Sequence, residues 1–165
     1  MLLRSEEVAG YRADDQSARH RLVIADAGDA TVDALRQELH RLVADEQVAP
    51  FRIAVLVGCA MDRSLAWKQR TFGNQVLVNE AFDDAGKLLG IAPDQLQTDP
   101  DEILCETIRR FKGLERDVVV LVELDATTRR LDHVLYAGLT RATTHLTVIA
   151  PPDLAPRFKG GGGNG

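Results

Sequence analysis

Apolar residues along this chain alternate between two rhythms. Short continuous runs recur at residues 21–25, 53–57, 103–108, 118–124 and 145–150. In Ile53-Ala54-Val55-Leu56-Val57 no polar face interrupts the run, the pattern of a strand covered on both sides in a parallel sheet. Between the runs the spacing becomes helical. Val32, Leu35, Leu39, Leu42 and Val43 recur at helical spacing, which predicts a helix capped by Asp29 or Thr31. That helix turns Arg36, Glu38 and Asp45 to solvent and ends before Pro50. Residues 131–140 repeat the pattern, burying Leu131, Val134, Leu135 and Leu139. The middle is more broken. Residues 64–72 read as helix, 75–78 as a short strand and 81–89 as a second short helix, before Gly90, Pro93 and Pro100 interrupt the chain.

Helices placed between continuous strands imply right-handed crossovers. The expected fold class is therefore α/β, a mostly parallel sheet with helices on both faces. The expected division is an N-terminal segment over 1–20 with room for partial order, one domain over 21–152 and a flexible Gly-rich tail over 153–165. Gly160 to Gly163, Asn164 and Gly165 offer nothing to bury.

Composition narrows the function classes. A chain of 165 residues, 45% hydrophobic and 27% charged, is one ordinary domain able to bury a substantial core. No apolar run approaches the roughly 20 residues that span a bilayer, and the first residues are no signal peptide. Cys59 and Cys105 are too few for a disulfide framework, so the expected setting is the cytoplasm, with no membrane partner. His20, His40, His133 and His145 show no metal-ligand spacing with either cysteine. A net charge of -5 argues against a broad basic surface, so any nucleic-acid contact should be local.

Two stretches carry candidate chemistry. Thr107-Ile108-Arg109-Arg110-Phe111-Lys112-Gly113-Leu114-Glu115 runs into the apolar segment from Val118, and Leu135-Tyr136-Ala137-Gly138-Leu139-Thr140-Arg141-Ala142 precedes the last strand. Open parallel sheets bind ligands at the carboxyl ends of their strands, and residues 112–115 are expected to leave the strand near Thr107 at such an end. Gly113 lets backbone approach a ligand, and Glu115 is an acceptor suited to sugar hydroxyls. Taken singly, the first stretch reads as a solvated loop and Arg141 as a partner for a helix dipole. Trp67, Lys68, Gln69 and Arg70 suit either a base-stacking patch or a helix whose tryptophan packs inward. Among the basic pairs, Arg109 is favoured as the nucleic-acid contact, with Arg110, Arg129 and Arg130 left on the surface.

Together the two stretches resemble motifs V and VI of the UvrD/Rep-type superfamily 1 DNA helicases, over roughly residues 53–150 and most densely after Cys105. The resemblance implies a RecA-like lobe, the C-terminal motor domain of such a helicase. It implies that Gly113, Glu115, Thr140 and Arg141 face ATP, with Glu115 on the ribose and Arg141 as arginine finger on the γ-phosphate. An arginine so placed is worth roughly 10³ to 10⁵ in rate in related NTPases. It further implies that Thr107, Arg109 and Lys112 face single-stranded DNA. Three departures stand out. The strand Ile53-Ala54-Val55-Leu56 leads into Val57-Gly58 where the family has tyrosine-arginine, which leaves Arg63, a few residues on, as the candidate substitute. Arg109 replaces the usual histidine, which favours plain phosphate binding, and residues 65–102 are too few for the accessory subdomain of larger relatives.

A phosphate cradle needs Gly-x-x-x-x-Gly-Lys-Ser/Thr. The nearest string, Ala85-Gly86-Lys87-Leu88, has Ala81 at the first glycine and no hydroxyl after the lysine. The chain is thus expected to be the second lobe of a motor, separated by truncation from a first lobe that holds ATP with its Mg. Alone it should neither hydrolyse ATP nor unwind DNA. The other reading is a non-catalytic RecA-like binding or docking module.

Overall fold

Residues 2–4, 19–125 and 131–158 are described by the computed structural model. Eight strands make one sheet: β1 (Leu2–Arg4), β2 (Arg19–Ile24), β3 (Ile53–Val57), β4 (Thr71–Phe72), β5 (Gln75–Val78), β6 (Glu102–Thr107), β7 (Arg116–Val122) and β8 (Ala142–Ala150). Among the described residues three α-helices accompany them, α1 (Asp29–His40), α2 (Leu65–Gln69) and α3 (Leu131–Leu139). The spatial order is β1-β2-β8-β7-β3-β6-β5-β4. From β2 to β5 every neighbour is parallel, and the short strands β1 and β4 add an antiparallel edge at each end. The α/β class and the parallel sheet are as the runs of apolar residues predict.

A two-residue period sorts the sheet into two cores. Ala54, Leu56, Val119, Leu121, Leu146 and Val148 meet Ile108, Phe111, Leu139, Leu154 and Phe158 on one face. Ile53, Val55, Val57, Val118, Val120 and Val122 meet Leu35, Leu39, Trp67 and Phe72 on the other. Because both faces are covered, inward and outward positions are equally apolar, which is why the sequence shows unbroken runs. Truncating one of these leucines to alanine costs roughly 2–5 kcal/mol.

Several expected details differ. The cap of α1 is Gly28 at φ 94, without a side-chain capping bond, and the Thr31 hydroxyl donates instead to the Asp26 carbonyl at 2.6 Å. Glu38, expected in solvent, is 3% exposed. It accepts from Arg41 at 3.1 and 2.8 Å and from the Thr147 hydroxyl at 2.6 Å, and pairs with Arg21 at 3.3 Å. Those partners lie on β2, β8 and the next helical turn, and they make burial of the carboxylate affordable. The helix expected over 64–72 is only α2, because Arg70 at φ 63 ends it and Thr71–Phe72 turns back against β5. Its tryptophan lies inward. Trp67 is 1% exposed, donates from Nε1 to the Asp83 carbonyl at 3.0 Å and carries the Arg70 guanidinium over its ring at 3.7 Å.

The helix expected over 81–89 is absent. Asp83 Oδ1 accepts from the Ala85 and Lys87 amides, a Phe82–Leu88 bridge closes the turn, and Gly86 lies so close that a Cβ would stand 2.5 Å from the Asp62 Cα. β2 begins at Arg19 and pairs with β1, while Leu154, Ala155 and Phe158 are buried. Arg129, Arg130, the burial of Leu131, Val134 and Leu135, and residues 159–165 lie outside the described residues. Among the described residues no helix is long and apolar enough to cross a membrane.

Candidate functional site

Strands β6 and β7 both run parallel to β3, so the segment between them must carry the chain from the carboxyl edge of the sheet back to its amino edge. In register, Thr107 stands opposite Val57 and Val118 opposite Ile53, at the two ends of β3. At ~3.3 Å per residue those ends are roughly 13 Å apart. Residues 108–115 make the return in tight turns, with Phe111 N donating to Thr107 O at 3.1 Å, Lys112 N to Arg109 O at 3.3 Å and Leu114 N to Phe111 O at 3.0 Å. Ile108 and Phe111 are buried in the core beneath the path. Gly113 adopts φ 84, which favours a residue without Cβ, and nothing lies within 4 Å of where a Cβ would stand.

This crossing corrects an expectation. Residues 112–115 do not gather at the carboxyl edge near Thr107, because β7 must start at the amino edge with Arg116. Thr107 and Arg109 stay at the carboxyl edge, Glu115 reaches the amino edge, and Lys112 is exposed on the turn between them.

At the carboxyl edge the ends of β2, β3, β6, β7 and β8 open a cleft of about 820 Å³. Its lining includes Gly28, Gly58, Arg63, Thr107, Arg109 and Glu123. The Thr107 hydroxyl accepts from Arg110 N at 3.2 Å, and Thr107 N donates to Glu106 Oε1 at 2.8 Å. Glu106 is fully buried and accepts from Arg110 Nε at 3.1 Å on both oxygens. Arg110, expected on the surface, is therefore a half-buried structural partner. It also donates to the Ile91 carbonyl at 2.7 Å and lies over the Phe82 ring at 5.2 Å.

Glu123 holds the left-handed φ 58, and three donors fix its carboxylate: Ser64 Oγ at 2.5 Å, Leu65 N at 2.7 Å and Ala66 N at 3.3 Å. Asp125 and Asp153 also line the cleft, so its charge is mixed. Burial, reinforced by Glu123, pushes the Cys59 thiol up to about 12, which keeps it protonated and unreactive at neutral pH.

At the amino edge Arg141 follows the end of α3. Its Nε donates to the Ala137 carbonyl at 2.7 Å, and Nη1 reaches the Leu114 carbonyl at 3.5 Å. Its backbone carbonyl accepts from Arg116 N at 3.0 Å. No carboxylate pairs with its guanidinium among the described residues. Thr140 is back-bonded, its hydroxyl donating to the carbonyls of Tyr136 and Ala137 at 3.1 and 3.2 Å, and Tyr136 is 64% exposed. The structure thus brings Leu114 and Glu115 beside Thr140 and Arg141, and it separates that group from Thr107 and Arg109.

Residues without an obvious signal also matter. A Cβ on Gly138 would meet Leu121 Cδ1 at 2.9 Å, so this helical glycine permits α3 to sit close on β7. Asp117, Arg116 and Arg52 frame the amino edge, yet in the sequence they look like ordinary strand-end polar residues. Among the described residues no group of three or more His, Cys, Asp or Glu is placed to hold a metal ion.

Residues 102–149, from β6 into β8, match the family model of the UvrD-like helicase C-terminal domain. Among solved structures, the fold is similar to the C-terminal domain of a possible DNA helicase from Lactobacillus plantarum WCFS1. The TM-score is 0.52 at 19% identity, covering 84% of this chain and 78% of that one. No curated protein matches the sequence significantly.

Proposed function

From the match of residues 102–149 to the UvrD-like helicase C-terminal domain, we propose that this chain is the second motor lobe of an ATP-dependent DNA helicase. The observation that supports the reading is the amino-edge group. Glu115 is exposed, Gly113 has open space above it, and Arg141 is ordered beside Leu114 without a carboxylate partner among the described residues. These residues fit a nucleotide. Glu115 would accept from ribose hydroxyls, Gly113 would allow close backbone approach, and Thr140 would hold the segment from which Arg141 reaches the γ-phosphate. The nucleotide supplies the phosphoryl group for transfer, with Mg held by the lobe that cradles the phosphates. This sequence has no P-loop string, so that cradle must come from another lobe.

On the same proposal, single-stranded DNA runs past the carboxyl edge. There Thr107 offers a hydroxyl and Arg109 a guanidinium to backbone phosphate, and Lys112 contributes charge from the connecting turn. The mixed charge of the cleft favours a local grip over a long basic track. It also keeps a second reading alive, a non-catalytic docking module in which Arg141 merely caps α3. Reconstitution separates the two. ATPase activity should appear when a first lobe bearing a phosphate cradle is added in trans to this chain. No activity from that mixture, with both lobes folded, would favour the docking module.

A further inference from the structure

Strands β7 and β8 pair regularly except at one place. Arg116 stands opposite Ala142 and Val118 opposite His145, so Asp117 alone faces both Thr143 and Thr144. Such a bulge disrupts the ladder locally and re-aims neighbouring side chains. Asp117 satisfies it from both ends. Its Oδ1 accepts from the Thr143 hydroxyl at 3.1 Å, and its backbone carbonyl accepts from the Thr144 hydroxyl at 2.7 Å. The other carboxylate oxygen, Oδ2, accepts from Arg52 Nε at 2.6 Å. One residue earlier, Arg116 N donates to the Arg141 carbonyl at 3.0 Å and Arg116 Nη1 to the Phe51 carbonyl at 2.8 Å. Arg141, Thr143 and Thr144 are thereby bonded to the first two residues of β7, and the turn at Phe51 and Arg52 braces them from outside.

We propose that Asp117 is a positioning residue for Arg141. By closing the bulge it fixes where β8 begins, and so fixes the direction in which Arg141 leaves the junction between α3 and β8. The functional meaning rests on the reading of Arg141 as the arginine finger; the order imposed on Arg141 does not. The pair of Arg52 and Asp117 is about 43% exposed on each side, so it adds little to global stability. Its contribution is local.

The test uses the whole chain with ¹⁵N-labelled arginine. The Arg141 Nε–H donates to a carbonyl and should give a resolved, slowly exchanging signal, assigned by its loss in Arg141→Lys. Asp117→Ala should shift or broaden that signal and speed amide exchange over residues 141–144 about ten-fold, with the fold retained. Asp117→Asn keeps an acceptor oxygen and should restore much of the native signal. The double variant Thr143→Val, Thr144→Val unpins the bulge without touching Asp117 and should reproduce the Asp117→Ala change. Asp33→Ala removes an exposed pair on α1 and should leave Arg141 as it is. The proposal is overturned if Asp117→Ala and the threonine double variant both leave the Arg141 signal native, or if Asp33→Ala disturbs it equally. Neither result depends on whether Arg141 ever meets ATP.

Discussion

The two edges of the sheet place their candidate side chains by different means. At the carboxyl edge, five strand ends diverge around a cleft, and Arg109 stands exposed at its rim. At the amino edge, Arg141 is tied to the Ala137 and Leu114 carbonyls, and its own carbonyl to Arg116, before any ligand arrives. One edge supplies room and the other supplies order. A flexible polymer such as single-stranded DNA needs the former. A guanidinium that must meet developing charge on a phosphoryl group needs the latter, because preorganised groups need no rearrangement at the moment of reaction. Between the edges runs the segment 108–115, held down by Ile108 and Phe111, and a Cβ on Gly138 would touch both Leu121 and Ile108.

The largest expected effect comes from cutting that tie. Phe111→Ala removes a ring that is 1% exposed and should cost roughly 3–5 kcal/mol in denaturant unfolding. If the segment links the edges, amide exchange should rise together around residues 107–109 and 113–116. A rise confined to one end would mean the edges are independent.

A smaller effect separates the edges by pH. His145 follows the bulge on β8, and burial first, then Arg41, holds its imidazole below the ordinary value. The unfolded chain therefore takes up the proton near pH ~6.5 while the native state resists it. Stability should be full above that pH and fall on acidification, until the folded imidazole itself titrates. The slope from this one group cannot exceed ~1.4 kcal/mol per pH unit. His145→Gln should flatten it, as read from melts between pH 7 and 5, and an unchanged slope would count against the assignment.

The smallest effect belongs to the carboxyl edge. Arg109→Ala should leave stability within about 0.5 kcal/mol, since the side chain is exposed. In the reconstituted motor it should reduce the salt dependence of single-strand binding by about one phosphate contact. An unaltered salt slope would remove Arg109 from the interface.

How much of this the sequence discloses depends on distance along the chain. The strands β3, β6, β7 and β8 are legible because each is a continuous apolar run, and the parallel pairing of β7 with β8 follows from α3 between them. The burial of Glu38 is not, since one of its acceptor bonds comes from Thr147, 109 residues away. Residues 81–89 carry helix-like spacing, but Asp83 and Gly86 form a turn that packs on Asp62. Most instructive is Glu115. Motif order places it beside Thr107, whereas parallel strands on either side force the chain across the sheet between them. The bulge at Asp117 leaves no periodic trace at all, because one extra residue on β8 is invisible until its partner strand is known.

The central claim is that Arg141 serves a nucleotide site completed by another lobe, and the most direct measurement is steady-state ATP hydrolysis by this chain mixed with a folded first lobe, with and without Arg141→Ala. Expected is turnover by the mixture alone, falling roughly 10³-fold or more in kcat for Arg141→Ala while KM changes little. Hydrolysis by this chain alone, or undiminished kcat in the variant mixture, would contradict it.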